Sequence, residues 1–334
     1  MSEQAANPTI APAVLGNVRV SDAPQSSWAK ARERLAWTLV TPSLLVVAIV
    51  ALYPLAQSFR LSFTNSWLSS SRGGEYVGFA NYQYLFADEQ FIRALRNTVI
   101  FTISSVTIET ILGMIIALII NSNFQGRGLV RTAILIPWAI PTVVSSRLWV
   151  YMYNDVYGVI NDILVNKLPN LVDWIPGIGP SLASIFPERS IAFTARPDMA
   201  LAAVVAVDVW KTTPFMALLL LAGLQIIPGD IYEASRVDGA SKWQQFWQMT
   251  LPMLRPALLV ALIFRTLDAF RVFDVVYVMK GAAVQSMTLA IYARETLIQG
   301  QGRLGRASAA SVIIFLCIGV LVFIYTRMVK VEEA

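Results

Sequence analysis

Long apolar runs separated by short polar stretches make up most of the chain after about residue 36. Helices of about 20 apolar residues are long enough to cross a hydrocarbon core of roughly 30 Å. The pattern predicts about six membrane-spanning helices, near residues 36–59, 94–121, 128–152, 199–226, 256–279 and 307–327. We therefore predict an all-α integral membrane protein. The Pro-rich stretch 153–198 is expected to be a folded extracytoplasmic loop.

Composition supports a membrane protein. Of 334 residues, 56% are hydrophobic and 14% charged, and the mean hydropathy is +0.59. A water-soluble domain of this length could not cover so much apolar surface with polar side chains. Residues 1–35 are polar and lack an apolar signal-peptide core, so they are predicted to be a disordered cytoplasmic tail. Residues 36–330 are then the transmembrane domain.

The basic residues predict orientation rather than nucleic-acid binding, although the net charge is +5. They lie in short segments between the apolar runs instead of forming one basic stripe. Four of these segments should lie on the same side of the membrane, and they contain Lys30, Arg32, Arg34, Arg127, Arg131, Arg236, Lys242, Arg327 and Lys330. By the positive-inside rule that side is the cytoplasm, and both termini are predicted to lie there. The opposing segment 280–306 is also basic, which weakens the bias.

Several kinds of chemistry are excluded or disfavoured by the residues present. The chain has no histidine and one cysteine, Cys317, so catalysis or metal binding by histidine is impossible. No metal site and no catalytic residue is predicted. A Gly-x4-Gly-Lys-Ser/Thr phosphate loop is also missing, so energy from ATP would have to come from a partner. An ion-coupled secondary transporter remains a rival, although the internal repeats common in that class are not visible.

One polar stretch, residues 227–254, is predicted to form a helix, a bend and a second helix. Pro228 and Gly229 should end the preceding span, Asp230 should cap a new helix, and Gly239 should permit a sharp bend. A second amphipathic stretch, residues 243–249, leads to Leu251 and Pro252.

Such a compact knob could fit a cleft in a partner. Small residues would form its crest and two acidic residues would fix its register: Ala234, Ser235, Gly239, Ala240, Glu233 and Asp238. The alternative on these features is an ordinary interfacial helix lying on the bilayer.

The same stretch resembles the signature loop of binding-protein-dependent ABC importer permeases. That loop is written Glu-Ala-Ala, three residues, Gly, nine residues, Ile, one residue, Leu-Pro. Here the spacing is retained as Glu233-Ala234-Ser235, Gly239, Met249 and Leu251-Pro252, with Ser and Met as conservative replacements. Residues 211–216 and 264–271 are most similar to trehalose-type or maltose-type sugar permeases. Residues 281–284 depart from the Gly-Gly-Pro run that many relatives have after the fifth helix.

The resemblance implies a type I importer fold and several partners. A second permease would complete the pathway, two cytosolic ATPases would bind ATP and Mg, and an extracytoplasmic binding protein would deliver a disaccharide. No cofactor is expected in this chain. Residues 227–254 would be the loop that docks on the ATPase, and we call them the coupling loop. Another sugar or a polyol is the alternative substrate.

Charged residues inside the predicted spans are candidates for the sugar pathway, because charges in hydrocarbon usually face water or the bundle interior. Four recur at every third position of the predicted fifth helix, and three more residues lie on the fourth: Arg265, Asp268, Arg271, Asp274, Asp208, Trp210 and Lys211. Charged groups could bind sugar hydroxyls, and Trp210 could stack on a sugar ring. Alternatively, the charges pair along and between helices and only hold the bundle together.

Overall fold

The computed structural model describes residues 27–69, 74–299 and 302–332, and helices dominate these residues. In chain order the α-helices are α1 (Ser27–Val47), α2 (Tyr53–Ser62), α3 (Ala80–Ala87), α4 (Glu89–Asn121), α5 (Arg127–Ala139), α6 (Thr142–Met152), α7 (Val159–Asn161), α8 (Leu168–Asp173), α9 (Gly179–Ala183), α10 (Pro197–Leu224), α11 (Gly229–Val237), α12 (Lys242–Gln245), α13 (Leu251–Phe270), α14 (Asp274–Lys280), α15 (Leu289–Ile298) and α16 (Leu304–Glu332). Wider π-helical turns occur at Ala48–Leu52, Asp162–Lys167 and Phe246–Thr250. Since the described residues contain no strand, the predicted all-α class is confirmed.

Four helices are long and apolar enough to cross a membrane, and they correspond to four of the predicted spans. They are Lys30–Ser62, Glu89–Asn121, Pro197–Leu224 and Leu304–Met328. A fifth span is possible if α5 and α6 are counted together, although they meet at an angle of 91°. The expected six uninterrupted spans are therefore not all present in the described part of the chain.

The break between α5 and α6 follows from proline chemistry. Pro141 has no backbone N–H to donate, and the residue before a proline is driven out of the helical region. Ile140 accordingly has an extended backbone, with φ −72° and ψ 131°, and Pro141 becomes the N-cap of α6. The sequence predicts that Pro137 and Pro141 bend the span 128–152, and the structure confirms a bend there.

The predicted fifth span, 256–279, is wrong as a single helix. The helix α13 ends at Phe270, Arg271 has φ −100° and ψ 18°, and α14 begins only at Asp274. Three charged residues also lie within α13: Arg255, Arg265 and Asp268. They lower its apolar character, so this helix does not qualify as a membrane span by composition.

The chain divides into two compact units between Ala56 and Gln57. In the first unit, α1 begins at Ser27, so the predicted tail 1–35 extends too far, and residues 1–26 lie outside the described residues. The apolar side chains of this N-terminal helix are largely exposed, as expected of a helix that faces lipid or another protein chain.

The second unit is built around three helices, α4, α10 and α13. Parallel packing of α4 and α10 is close at Gly113, where an added Cβ would lie 2.7 Å from Met216 Cγ. The antiparallel α13 approaches α10 at Gly223, where an added Cβ would collide with the Ala257 Cβ. Small residues allow such close contacts between helices in membranes. The coupling loop connects α10 to α13 at one end of these three helices.

At the opposite end, side-chain amides and hydroxyls tie the connecting segments to the bundle. Asn81 donates to the carbonyl oxygens of Ser62 and Thr64, each at 2.8 Å. Thr98 Oγ1 accepts from the Leu289 amide at 2.9 Å. In the stretch 153–198, α7 to α9 form, and the Asn161 side chain accepts from the Ile191 amide at 2.7 Å. These bonds satisfy backbone groups that would otherwise be buried without a partner.

Candidate functional site

The first half of the coupling loop is the helix α11. Pro228, with φ −61° and ψ 137°, is its N-cap, so the predicted cap Asp230 is wrong and lies instead in the first turn. Pro228 takes this position because its fixed φ suits the extended entry to a helix. A carboxylate in the first turn still interacts favourably with the helix dipole.

The bend after α11 depends on Gly239. Its φ is +78°, in the left-handed region that glycine enters without steric cost. The Ala240 amide then donates to Ser235 O at 2.9 Å, and the Gly239 amide donates to Arg236 O at 3.1 Å. These two bonds close the end of the helix, so the predicted bend at Gly239 is confirmed.

The second half of the coupling loop runs without interruption into α13. Ser241 caps α12 in a reciprocal capping box with Gln244. At the π-helical turn Phe246–Thr250, the Leu251 amide donates to Phe246 O. Pro252 follows immediately and has no N–H to donate, and a proline ring crowds the carbonyl four residues earlier, so a wider turn fits here. Tyr232 Oη lies 3.1 Å from Thr250 Oγ1 and joins the two halves.

The outward face of the coupling loop contains four of the eight predicted docking residues: Glu233, Ala234, Asp238 and Gly239. Glu233 and Arg236 form a 3.8 Å ion pair, with side chains 73% and 66% exposed. Also exposed on this face are Ala234, Val237, Asp238 and Gly239, whereas Ala240, Leu251 and Pro252 are half-buried.

The prediction that Ser235 belongs to the crest of the coupling loop is wrong. Ser235 is buried, and its Oγ donates to Tyr232 O at 2.9 Å. Residues 233 and 234 lie on the outer face of α11, and one further step of about 100° turns the next side chain inward. Its small size therefore serves packing within the loop.

A buried ionic cluster joins the three central helices. Arg265 of α13 is 2% exposed and contacts Glu109 of α4 through Nε and Nη2, the latter at 2.9 Å from Oε1. Its Nη2 also forms an ion pair with Asp208 of α10. Nη1 lies 3.0 Å from Asp268 Oδ2, one turn further along α13. Every nitrogen of this guanidinium thus has a carboxylate partner.

Hydroxyl groups complete the cluster. Ser105 Oγ lies 2.6 Å from Glu109 Oε1 and also 2.6 Å from Asp208 Oδ2. Thr212 Oγ1 lies 2.6 Å from the same Glu109 oxygen. Because each buried oxygen has hydrogen-bond partners, the desolvation of these charges is compensated.

A cavity of about 320 Å³ lies beside the ionic cluster. Six of the seven predicted pathway residues line it: Asp208, Lys211, Arg265, Asp268, Arg271 and Asp274. Trp138 and Thr142, on either side of the break between α5 and α6, line the cavity as well. The broken helix pair therefore contributes to its wall.

The remaining predicted residue, Trp210, does not line this cavity. Its ring packs edge-on against Trp149, with centroids 5.4 Å apart. Lys211 and Thr212 of the same helix do line the cavity, whereas the Trp210 side chain is directed toward Trp149 instead. Two aromatic residues line the cavity, Trp138 and Phe273. The Trp138 ring stacks on Phe215, with centroids 5.8 Å apart.

The predicted pairing of charges every third residue holds only in part. Asp268 pairs with Arg265 and lies 3.5 Å from Arg271 Nη2. Asp208 pairs across helices with Arg265 rather than along α10 with Lys211, which forms no ion pair among the described residues. Asp274 belongs to α14, and it likewise forms no ion pair in the described part of the chain.

Glu109 is not among the residues predicted from the sequence. It is the only carboxylate within the predicted span 94–121, surrounded by apolar residues. The cost of a charge in hydrocarbon, which pointed to the residues of the fifth helix, applies equally here and could have identified it. In residues 27–69, 74–299 and 302–332, no group of three or more metal-binding side chains is found.

The helical bundle, with a polar cavity between its spans and a protruding loop at one end, is that of a multi-pass membrane permease. The chain belongs to the family of binding-protein-dependent transport system inner membrane components, whose model matches residues 109–331. This confirms the resemblance seen in the sequence, and the chain is a transport subunit rather than an enzyme.

Relatives identify the class more narrowly. The chain is 40% identical over 299 residues to the trehalose transport system permease protein SugA of Mycobacterium tuberculosis, covering 89% of both chains. It is 39% identical over 295 residues to the trehalose/maltose permease protein MalF of Thermococcus litoralis, covering 88% of this chain and 93% of that one. The sulfoquinovosyl glycerol permease protein SmoG of Agrobacterium fabrum is 34% identical over 301 residues, covering 90% and 91%.

A solved structure has the same fold. The chain matches a subunit of a bacterial ABC transporter involved in the import of the polysaccharide alginate, with a TM-score of 0.72 and 24% identity. The match covers 91% of this chain and 98% of that one. The predicted permease fold of an ABC importer is thus confirmed.

Proposed function

We propose that this chain is one of two permease subunits of an ATP-driven importer for a disaccharide of the trehalose or maltose type. The observation that carries the proposal is the similarity to SugA and MalF over nearly nine-tenths of the chain. A different sugar or glycoside is the second candidate, since SmoG, at 34% identity, carries sulfoquinovosyl glycerol by its name. An ion-coupled transporter is disfavoured by the family match.

The partners proposed are a second permease, two cytosolic ATPases that bind ATP and Mg, and an extracytoplasmic sugar-binding protein. The family itself is named for its dependence on a binding protein. A second solved structure of the alginate transporter contains a pentasaccharide-bound periplasmic protein, and its permease chain has a TM-score of 0.72 to this one. The proposed location is the inner membrane, with both termini and the coupling loop in the cytoplasm.

In this proposal the coupling loop receives the motion of the ATPase and passes it to the cavity. The helices α10 and α13 lead directly into and out of the loop, and both contribute residues to the cavity. Because the same two helices join the loop to the cavity wall, a rigid displacement of the loop would change the shape of the cavity directly. Repeated cycles of this motion would expose the pathway alternately to the two sides of the membrane.

Within the cavity, the polar residues divide into two groups by exposure. Arg265 and Asp208 are buried in the ionic cluster and hold the helices together. Asp268 and Arg271, with side chains 59% and 68% exposed, have surface free for sugar hydroxyls, and Lys211 also lines the space. Trp138 supplies the aromatic face proposed for Trp210 in the sequence. In this proposal some intramembrane charges hold the helices together, and different ones contact the sugar.

ATP hydrolysis by the reconstituted complex tests this function. The complex would be assembled in lipid with its binding protein, and trehalose, maltose and other sugars would each be added at saturation. Stimulation by one disaccharide supports the proposal and names the substrate. Absence of stimulation by every sugar, in a complex shown to be assembled, would overturn the substrate class.

A further inference from the structure

Glu109 occupies an unusual position for a carboxylate. It lies in the middle of α4 with no exposed surface, and its neighbours in sequence are Ile108, Thr110 and Ile111. A charged side chain in the middle of a membrane helix is energetically unfavourable. Such groups usually serve a function or pair with another charge.

The partner of Glu109 is Arg265, and the contact is bidentate. Oε1 lies 2.9 Å from Nη2, and Oε2 contacts Nε. Paired contacts of this kind fix the plane of the guanidinium as well as its position. Ser105 and Thr212 hold Oε1 in place at 2.6 Å. Glu109 thereby determines how Arg265 is oriented.

The orientation of Arg265 matters because its third nitrogen reaches the cavity. Nη1 lies 3.0 Å from Oδ2 of Asp268, whose side chain is 59% exposed beside the cavity. The other Asp268 oxygen has only a long contact of 3.5 Å, to Arg271. In this arrangement Arg265 anchors one oxygen of Asp268 and leaves the second oxygen accessible.

We infer that Glu109 is a positioning residue of the transport pathway: it holds Arg265 against α4, so that Asp268 presents its second carboxylate oxygen, Oδ1, to the sugar together with Arg271. This inference rests on the proposed sugar pathway. Without the Glu109 charge, Nε and Nη2 lose a partner in a buried site, and the guanidinium turns toward the remaining carboxylates. A closer pairing with Arg265 withdraws Asp268 from the cavity.

The test uses Glu109→Gln in the assembled transporter, reconstituted with its binding protein and supplied with labelled trehalose. The quantity measured is the number of sugar molecules transported per ATP hydrolysed. We expect it to fall about tenfold, the lower end for loss of a hydrogen bond to a charged group. A role limited to holding the bundle together would reduce the amount of assembled complex, but would leave this ratio unchanged.

Thr102→Val is the matched control, because Thr102 is buried on the same helix and its hydroxyl has no partner among the described residues. Its ratio should equal that of the unaltered protein. Arg265→Lys provides a second variant if Glu109→Gln assembles poorly. A lysine point charge cannot engage three carboxylates, so the ratio should fall as well.

Asp268→Asn separates this inference from the proposed function. If Asp268→Asn lowers the ratio and the double variant with Glu109→Gln lowers it no further, the two residues act in series. If Asp268→Asn impairs transport while Glu109→Gln keeps a normal ratio, the positioning role is refuted and the pathway stands. If both variants transport normally, the sugar pathway proposed for this cavity is refuted too.

Discussion

Arg265 on α13 forms an ion pair with Asp208 on α10, and these are the two helices between which the coupling loop is suspended. Both side chains are buried, and breaking a buried pair by removing one partner typically costs about 3 to 5 kcal/mol. The pair therefore links the two helices midway between the loop and the opposite end of the bundle.

Gly239→Asp should abolish sugar-stimulated ATP hydrolysis. Any side chain at φ +78° strains the backbone by about 1 to 2 kcal/mol and changes the bend of the coupling loop. Gly126 is the matched control, because it has φ +83°, lies between α4 and α5, and would have open space around an added Cβ.

Gly126→Asp should therefore lower the thermal stability about as much as Gly239→Asp while keeping ATP hydrolysis stimulated. Equal loss of stimulation in both variants would contradict a specific role for the coupling loop.

Glu233→Lys should prevent transport without destabilising the protein. The ion pair of Glu233 with Arg236 is 3.8 Å long and exposed, so its loss costs less than about 1 kcal/mol. Reversal of the charge at a docking surface affects association far more. Co-purification of the ATPase with the permease is the measurement, and Glu188→Lys, at an exposed position in the stretch 153–198, is the control. Normal recovery of the ATPase with Glu233→Lys would argue against docking here.

Trp138→Ala should mainly reduce sugar uptake, whereas Trp210→Ala should mainly reduce stability. Trp138 lines the cavity, so its truncation should reduce sugar uptake several-fold with little change in melting temperature. Trp210 packs against Trp149, so its truncation should lower the melting temperature more than it lowers uptake per assembled complex. The reverse order of effects would restore Trp210 as the aromatic residue of the pathway.

Ser241→Ala should destabilise the coupling loop locally. It removes a capping box, which is worth about 1 kcal/mol. Hydrogen exchange at the first amides of α12 should accelerate about fivefold, while α10 keeps its protection. Ser184→Ala is a suitable control, because Ser184 is exposed and bonds only within its own turn. Unchanged exchange in α12 would mean that the cap contributes nothing to the loop.

Local sequence patterns were sufficient for part of this architecture. Runs of apolar residues identified four of the spans, and Pro137 and Pro141 identified the bend of a fifth. Gly239 predicted the bend of the coupling loop, because this bend depends only on the backbone conformation that glycine can adopt. These features depend on hydrophobicity and on the conformational limits of single residues, both of which act over a few positions.

Other features could not be derived in this way. Sequence periodicity suggested one charged helix over 256–279, but the backbone leaves the helix after Phe270. Ser235 was expected on the surface, but its side chain is buried. Trp210 was expected to line the sugar pathway, but its ring packs against Trp149. Successive side chains of a helix differ in direction by about 100°, and which direction is buried depends on the neighbours that pack against the helix.

The sequence by itself determined that the chain crosses a membrane, where its coupling loop lies, and which transporter family it belongs to, because these follow from composition and from one long spaced motif. Only the tertiary structure decided which charges pair. Glu109 and Arg265 are separated by 156 positions, and Asp208 and Arg265 by 57. No local rule connects residues so far apart, since their contact arises from the packing of three helices that each bury a different face.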